Sequence, residues 1–214
     1  MRTHLIVPDT QCKDGQDFEY LTRIGRYIVE VQPDVVIHLG DFADMPSLSS
    51  YDVGKKSFEG RRYTKDIDAA NKAMSCLLNP LYSYNATAKV QKKKQYNPRK
   101  VMLLGNHDNR INRAINDDPK LEGLISTNDL PYQDWEVHDF LKPVFIDGIA
   151  YSHYFPTGFL DALLPQLVLW FLSCICLVLL VINKENKWPM ANDQTDLLLP
   201  VLLPVLVMNM MKTI

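Results

Sequence analysis

Cysteine is scarce in this chain, with only Cys12, Cys76, Cys174 and Cys176 among 214 residues. Their spacing fits neither a zinc finger nor a disulfide framework, which excludes a cysteine-stapled fold and predicts a reduced, cytoplasmic setting. Net charge is nearly absent as well: 23 Lys and Arg stand against 25 Asp and Glu, for a formal charge of -2 and a pI near 6.2. No global field therefore demands nucleic acid or an anionic membrane, and any basic recognition has to be local. The opening Met1-Arg2-Thr3-His4-Leu5-Ile6-Val7 has too short an apolar stretch for a signal peptide and reads as a first strand. No internal repeat occurs.

What the chain does contain is one short phrase used three times. Leu5-Ile6-Val7 runs into Pro8-Asp9-Thr10-Gln11, Val35 to Leu39 runs into Gly40-Asp41-Phe42-Ala43-Asp44, and Val101 to Leu104 runs into Gly105-Asn106-His107-Asp108. Each is an apolar, β-forming run cut off by residues that carry amide, imidazole or carboxylate groups. In an open α/β sheet ligands bind outside the carboxyl ends of strands, so three strands deliver such groups to one end. A length of 214 residues can hold one α/β domain, or one domain and an appendage.

Between the strands the pattern is helical. Phe18, Leu21, Ile24, Ile28 and Val31 recur at helical spacing with charged residues between them, and Gln32-Pro33-Asp34 ends that helix. Met45 to Gly60 reads as a loop over the site, and Tyr63 to Leu78 as a second helix that Asn79-Pro80 terminates. The lysine-rich run Lys89 to Tyr96 reads as a solvated face, with a phosphate-binding patch as the alternative. Asn109 to Asn116 and Leu121 to Ser126 read as short helices, Trp135 to His138 as a strand, and Val144 to Tyr154 as a hairpin bent at Asp147-Gly148 that leads to His153.

Asp9, Gln11, Asp41, Asn106 and His153 are all oxygen or imidazole donors of the kind that suit manganese, iron or zinc. A strand-end carboxylate such as Asp41 can bridge two ions about 4 Å apart, an arrangement that activates water toward a phosphoryl group. A turn that points Asn106 at metal can point His107 at a leaving oxygen, where an imidazolium donates a proton. Singly, each has a plainer role: Asp9 and Asn106 as turn residues, Asp44 as a loop or helix-cap residue, His153 as a structural histidine. Their ordered recurrence at strand ends is what argues for a site. His4, His38 and His138 keep a structural reading.

The blocks Asp9-Thr10-Gln11, Gly40-Asp41-Phe42-Ala43-Asp44, Gly105-Asn106-His107-Asp108 and His153 resemble those of calcineurin-like metallophosphoesterases, over residues 3 to 157. The resemblance implies an αββα four-layer sandwich, two divalent metal ions and hydrolysis of phosphomonoesters or phosphodiesters. It implies Asp9 and Gln11 on the first ion, Asp41 bridging, Asn106 and His153 on the second, His107 on the leaving group, and Asp108 orienting His107. Gln11 stands where the family usually has His, which implies a more weakly held ion. The family's last block, Gly-His-x-His, has no counterpart, because no histidine follows His153. The alternative function is therefore a catalytically impaired metal-binding or membrane-tethered protein that keeps the fold.

That divides the chain into an incomplete metallophosphoesterase domain at 1–157 and an apolar tail at 158–214. From Phe159 to Ile182 the only charge is Asp161, and the stretch is long enough to span a bilayer. Pro165, Pro200 and Pro204 suit no ordinary helix. Three readings stay open: a membrane anchor through 159–182, native core, or translation out of frame. For the last, Val207 to Thr213 back-translates almost uniquely, and the neighbouring frame gives a polar, acidic segment. The substrate is left as a nucleic acid, a nucleotide or a phosphoprotein, held between the loop Met45 to Gly60 and the lysine run. Oligomeric state is not legible.

Overall fold

The computed structural model describes residues 2–155. The tail at 158–214, and all three readings of it, lie outside the described residues. Four strands form one parallel sheet: β1 (His4–Val7), β2 (Val35–His38), β3 (Arg99–Leu103) and β4 (Glu136–His138), adjacent in that same order. Three helices connect them: α1 (Glu19–Val31), α2 (Tyr63–Val90) and α3 (Arg110–Asp117). Right-handed crossovers that always step toward the same edge place every helix on one face. Accordingly Leu21 and Ile28 of α1, Ala70, Met74 and Leu77 of α2, and Ile111 of α3 share a single core with Val36 and Met102 of the sheet.

The opposite face of that sheet is covered by a second sheet. β5 (Val144–Ile146) and β6 (Ile149–Tyr151) pair antiparallel through a turn in which Asp147 and Gly148 both have positive φ, as a two-residue hairpin of this hand requires. Strand alternation sorts the side chains: Val35, Ile37, Val101 and Leu103 pack with Val144, Ile146 and Tyr151, while Val36 and Met102 face the helices. The molecule is thus an α/β fold, and three layers of the αββα sandwich are in place. The fourth has no element among the described residues. Met1–His153 forms one compact unit.

Several elements depart from the sequence reading. Asn79-Pro80 does not end α2, which continues to Val90 with Pro80 inside it. An internal proline costs about 3 kcal/mol, whereas burying each of Leu77, Leu78 and Leu81 around it returns roughly 1.5–3 kcal/mol. α1 crosses α2 at this point, and a Cβ on Gly25 would lie 2.2 Å from the Leu77 carbonyl oxygen and 3.0 Å from Pro80 Cγ. Leu121 to Ser126 is not a helix, because Gly123 at φ +79° breaks it into turns. The loop Met45 to Gly60 contains three single 3-10 turns, Pro46–Leu48, Ser50–Asp52 and Lys56–Phe58.

The lysine run is also misplaced by the sequence reading. Lys92, Lys93 and Lys94 are solvent-exposed at the end of α2, ahead of β3. They therefore sit at the amino ends of the strands, where Tyr96 donates its hydroxyl to the Pro33 carbonyl just before β2. A run placed there cannot line a site at the carboxyl ends, and the solvated reading holds.

Candidate metal centre

Beyond their last paired residues, the first two strand ends stay zipped together. Gln11 N–H donates to the Asp41 carbonyl at 2.8 Å, Cys12 N–H to that of Phe42 at 2.8 Å, and Asp44 N–H to that of Cys12 at 2.9 Å. Gln11 and Asp41 both take left-handed backbone conformations, at φ +46° and +52°, to make this turn. The third strand end presses on the second so closely that a Cβ on Gly105 would lie 2.0 Å from Asp41 Oδ1. Only glycine fits there. Gly40, at φ +102°, is equally constrained by Gly105 N at 2.7 Å and His153 Nδ1 at 2.9 Å.

Asp9, Asp41 and His153 each place a ligand-type atom within 4.8 Å of the others. His153 arrives from the second sheet, two residues beyond β6, so the centre lies where the two sheets meet at one end. Its Nδ1 lies 2.9 Å from the Leu39 carbonyl, a bond that requires Nδ1 to carry the proton. The lone pair of Nε2 then points at Asn106 Oδ1, 3.0 Å away, and at Asp41 Oδ2, 3.5 Å away. An imidazole nitrogen, an amide oxygen and a carboxylate converging on one point are reconciled by a cation among them or by a proton on Nε2 that donates to Asn106 Oδ1. A histidine whose other nitrogen is pinned to a backbone carbonyl is also what a metal-binding imidazole needs. The residues present therefore fit a divalent ion.

Burial raises the Asp41 carboxyl above its usual range, against the opposing pull of the His107 N–H bond and of the His153 and His107 charges. Gln11 shares the turn through its backbone, but its side chain is exposed and makes no hydrogen bond among the described residues. The structure thus brings Asp9, Asp41, Asn106 and His153 together, and leaves the Gln11 amide unattached.

His107 stands beside this group. Its backbone N–H donates to Asp41 Oδ1 at 2.7 Å, and its ring Nδ1 donates to Asp44 Oδ1 at 2.7 Å. Arg110, at the start of α3, donates to the Asp44 carbonyl at 2.7 Å and lies 3.4 Å from His107 Nε2. The bond to Asp44 raises the imidazole's pKa, more than burial and Arg110 lower it. Burial pushes the Asp44 carboxyl up, but the bond from His107 and the charges of His107, Lys13 and Arg110 outweigh it and hold the group low.

The expected role of Asp108 is corrected here. Its carboxylate does not orient the His107 ring; that partner is Asp44. Asp108 is fully buried and accepts from four donors: the N–H of Asp41 at 2.8 Å, of Gly105 at 2.9 Å, of Ala43 at 3.2 Å, and the Tyr132 hydroxyl at 2.7 Å. It is the clamp that holds the second and third strand ends together. Burial raises its carboxyl to about 6, with those bonds from Gly105, Tyr132 and Ala43 opposing the rise. Sequence reasoning missed Asp44 and Arg110, although the spacing of Asp44 three residues beyond Asp41, and of Arg110 three beyond His107, was a usable signal.

The three histidines given structural roles keep them. His4 bonds Tyr151 and Asp147, tying β1 to the hairpin turn, and His138 bonds Glu136. His38 is fully buried, accepts from Gly40 N–H at 3.2 Å and lies 3.3 Å from the Thr10 hydroxyl. Burial, with a smaller contribution from His153, lowers its pKa from 6.5 to about 3. Between those values the unfolded chain binds a proton that the folded chain refuses, so stability is complete above pH 6.5 and falls on acidification toward pH 3. The cost is about 1.4 kcal/mol per pH unit within that window. Thermal midpoints measured across the window are expected to decline with falling pH relative to those of His38→Gln, the raised Asp108 carboxyl working in the opposite direction in both chains. Parallel curves for the two chains would assign the acid lability elsewhere.

The family model described as calcineurin-like phosphoesterase matches residues 3–166. That span contains every strand-end block above and runs past residue 157. A comparison with curated proteins finds no match.

Proposed function

The chain belongs to the calcineurin-like phosphoesterase family, and on that premise we propose that it hydrolyses phosphomonoesters or phosphodiesters at a two-ion centre. Asp9 and Gln11 would hold the first ion, Asp41 would bridge, and Asn106 and His153 would hold the second. The observation that carries the reading is the convergence of His153 Nε2, Asn106 Oδ1 and the Asp41 carboxylate, with Asp9 alongside. Manganese, iron and zinc all suit this set of oxygen and imidazole donors. When bound, such ions polarise a phosphoryl oxygen and lower the pKa of a coordinated water.

The remaining work falls to the chain's own residues. With Nδ1 held by Asp44, His107 presents Nε2 toward the centre, 3.8 Å from Asp41 Oδ2. Protonated, it gives that proton to the departing oxygen and spares the reaction a free alkoxide. Asp44 stabilises the imidazolium and fixes its tautomer. Arg110, next to Nε2, adds positive charge where the transition state accumulates negative charge.

One observation favours a second reading, a catalytically impaired protein that binds metal without turnover: no histidine follows His153 to supply the family's last block. Among the described residues no helix is long and apolar enough to cross a bilayer, and the membrane-tethered reading falls on 159–182, outside them. The two readings part on the full-length chain loaded with manganese and assayed on bis(p-nitrophenyl) phosphate, with bound metal counted by mass spectrometry. Under the first reading, His107→Asn lowers the rate by about a hundredfold or more while metal content holds. Metal lost in parallel with rate would make His107 a ligand. No turnover by a metal-loaded parent chain would select the impaired reading.

A further inference from the structure

A cleft of about 610 Å3 opens beside His107 and plays no part in the chemistry above. Asp44 and Arg110 line it, and both contact the His107 ring, so the cleft adjoins the group that serves the leaving oxygen. Lys13, Arg62 and Lys65 stand on its wall. Arg61 is there too, but its guanidinium is occupied by Asp52 at 2.8 Å and by the carbonyls of Pro46 at 3.0 Å and Ser57 at 2.9 Å.

The other three cations are available. Lys13 lies 3.5 Å from Asp44 and Lys65 3.8 Å from Asp14, with both lysine side chains 56% exposed, and such solvent-screened pairs are weak. Arg62 is exposed, spends one N–H on the Arg61 carbonyl at 2.7 Å, and faces no carboxylate among the described residues. Asp14, Asp44, Asp52, Glu59 and Asp66 are the acids that line the cleft, as many as its cations, and Asp44 and Asp52 are committed to His107 and Arg61. Asp66 is buried and accepts from Ser47 N–H at 2.9 Å, while Asp14 and Glu59 are exposed to solvent, where screening weakens their repulsion. Tyr51, 78% exposed, does not line the cleft but sits on the turn that carries the lining residue Asp52.

We propose that this cleft is the leaving-group subsite, that Arg62, Lys13 and Lys65 receive a further phosphate carried by the leaving group, and that the substrate is a phosphodiester within a nucleotide strand. The inference rests on the phosphoesterase reading for what happens at the centre, but the binding it requires does not. Phosphates spaced along a strand satisfy a wall of separated cations, and base stacking on tyrosine tolerates any sequence.

Binding is therefore tested without turnover, by fluorescence anisotropy of fluorescein-labelled tetrathymidylate on the full-length chain in the presence of EDTA. The expected result is that Arg62→Ala weakens binding about fivefold or more and lowers the slope of log affinity against log salt by about 0.7, the value for one lost phosphate contact to a single strand. Replacing Lys92, Lys93 and Lys94 together by Ala is expected to change neither. An abasic tetramer of the same length separates the two sources of the chemistry. Weaker binding of that probe, equalised by Tyr51→Ala, assigns a base-bearing strand, and equal binding assigns the phosphates alone. Parent-like affinity in Arg62→Ala, or a loss that follows the lysine run instead, overturns the subsite. Arg62-dependent binding without any manganese-dependent hydrolysis would end the phosphoesterase reading and leave the subsite standing, and hydrolysis without Arg62 dependence would do the reverse.

Discussion

Asp41→Asn is expected to cut manganese-dependent hydrolysis about a thousandfold, and to weaken metal binding, while leaving the thermal midpoint nearly unchanged. Asp41 is 2% exposed and every polar group on it is committed. Its carbonyl accepts from Thr10 and Gln11, its N–H donates to Asp108, Oδ1 accepts from His107 N–H, and Oδ2 faces His153. An amide keeps the carbonyl oxygen for His107, and Asn accepts the left-handed backbone at φ +52° at least as well as Asp does. What the substitution removes is the negative charge between Asp9 and His153. A bridging carboxylate contributes several kcal/mol to charge stabilisation and alignment, and about 4 kcal/mol corresponds to a factor of a thousand. Isothermal calorimetry with manganese reads the metal loss even where turnover is low. Turnover within tenfold of the parent, or unaltered manganese affinity, would remove Asp41 from the centre.

The second large effect belongs to a residue that touches no ion. Asp108→Ala is expected to lower stability by several kcal/mol and to abolish metal binding as a consequence. Removing the carboxylate strands three backbone N–H groups and one phenol in the interior, where each unsatisfied group costs about 1–3 kcal/mol. A domain has only about 5–15 kcal/mol in total. The strand ends at Gly40-Asp41 and Gly105-Asn106 would then separate, and the Asn106–His153 contact with them. Urea titration with far-ultraviolet dichroism measures the stability, and metal counting measures the site. If Asp108→Ala keeps its urea midpoint and loses only rate, the clamp account fails and the residue acts on His107 after all.

The difference between those two aspartates marks what the sequence could and could not tell. Strand ends carrying Asp9, Asp41 and Asn106 were legible because an apolar run followed by Pro or Gly and a polar residue is a local pattern. His153 was legible once the hairpin turn at Asp147-Gly148 was recognised. The family resemblance implied Asp108 as the partner of its neighbour His107. Instead it turns inward to Tyr132 and Ala43, and the ring's partner comes from Asp44, 63 residues away. Pairing across loops is set by which strands lie side by side; the spacing of Asp44 after Asp41 and of Arg110 after His107 marks the residues but not which of them meet. Pro80 misled for a similar reason: its cost is local, while the burial that offsets it depends on α1 crossing at Gly25. The lysine run was misjudged only in its position, because charge density is visible in a sequence and the end of a sheet is not.

The order of strands in the sheet, the same as their order in the chain, has a meaning for how the protein is made. Each strand emerging from a ribosome can add to the open edge left by the one before, so the first sheet grows in the direction of synthesis without waiting for distant segments. The metal centre cannot. His153 docks on Leu39, 114 residues earlier, and at bacterial or eukaryotic elongation rates that gap amounts to something on the order of ten seconds. Asp9, Asp41 and Asn106 are laid down while the second sheet is still unmade, so a nascent chain holds only an open, low-affinity array of oxygens. An ion held by Asp9, Asp41, Asn106 and His153 would thereby be captured only by chains translated through the hairpin, late in synthesis.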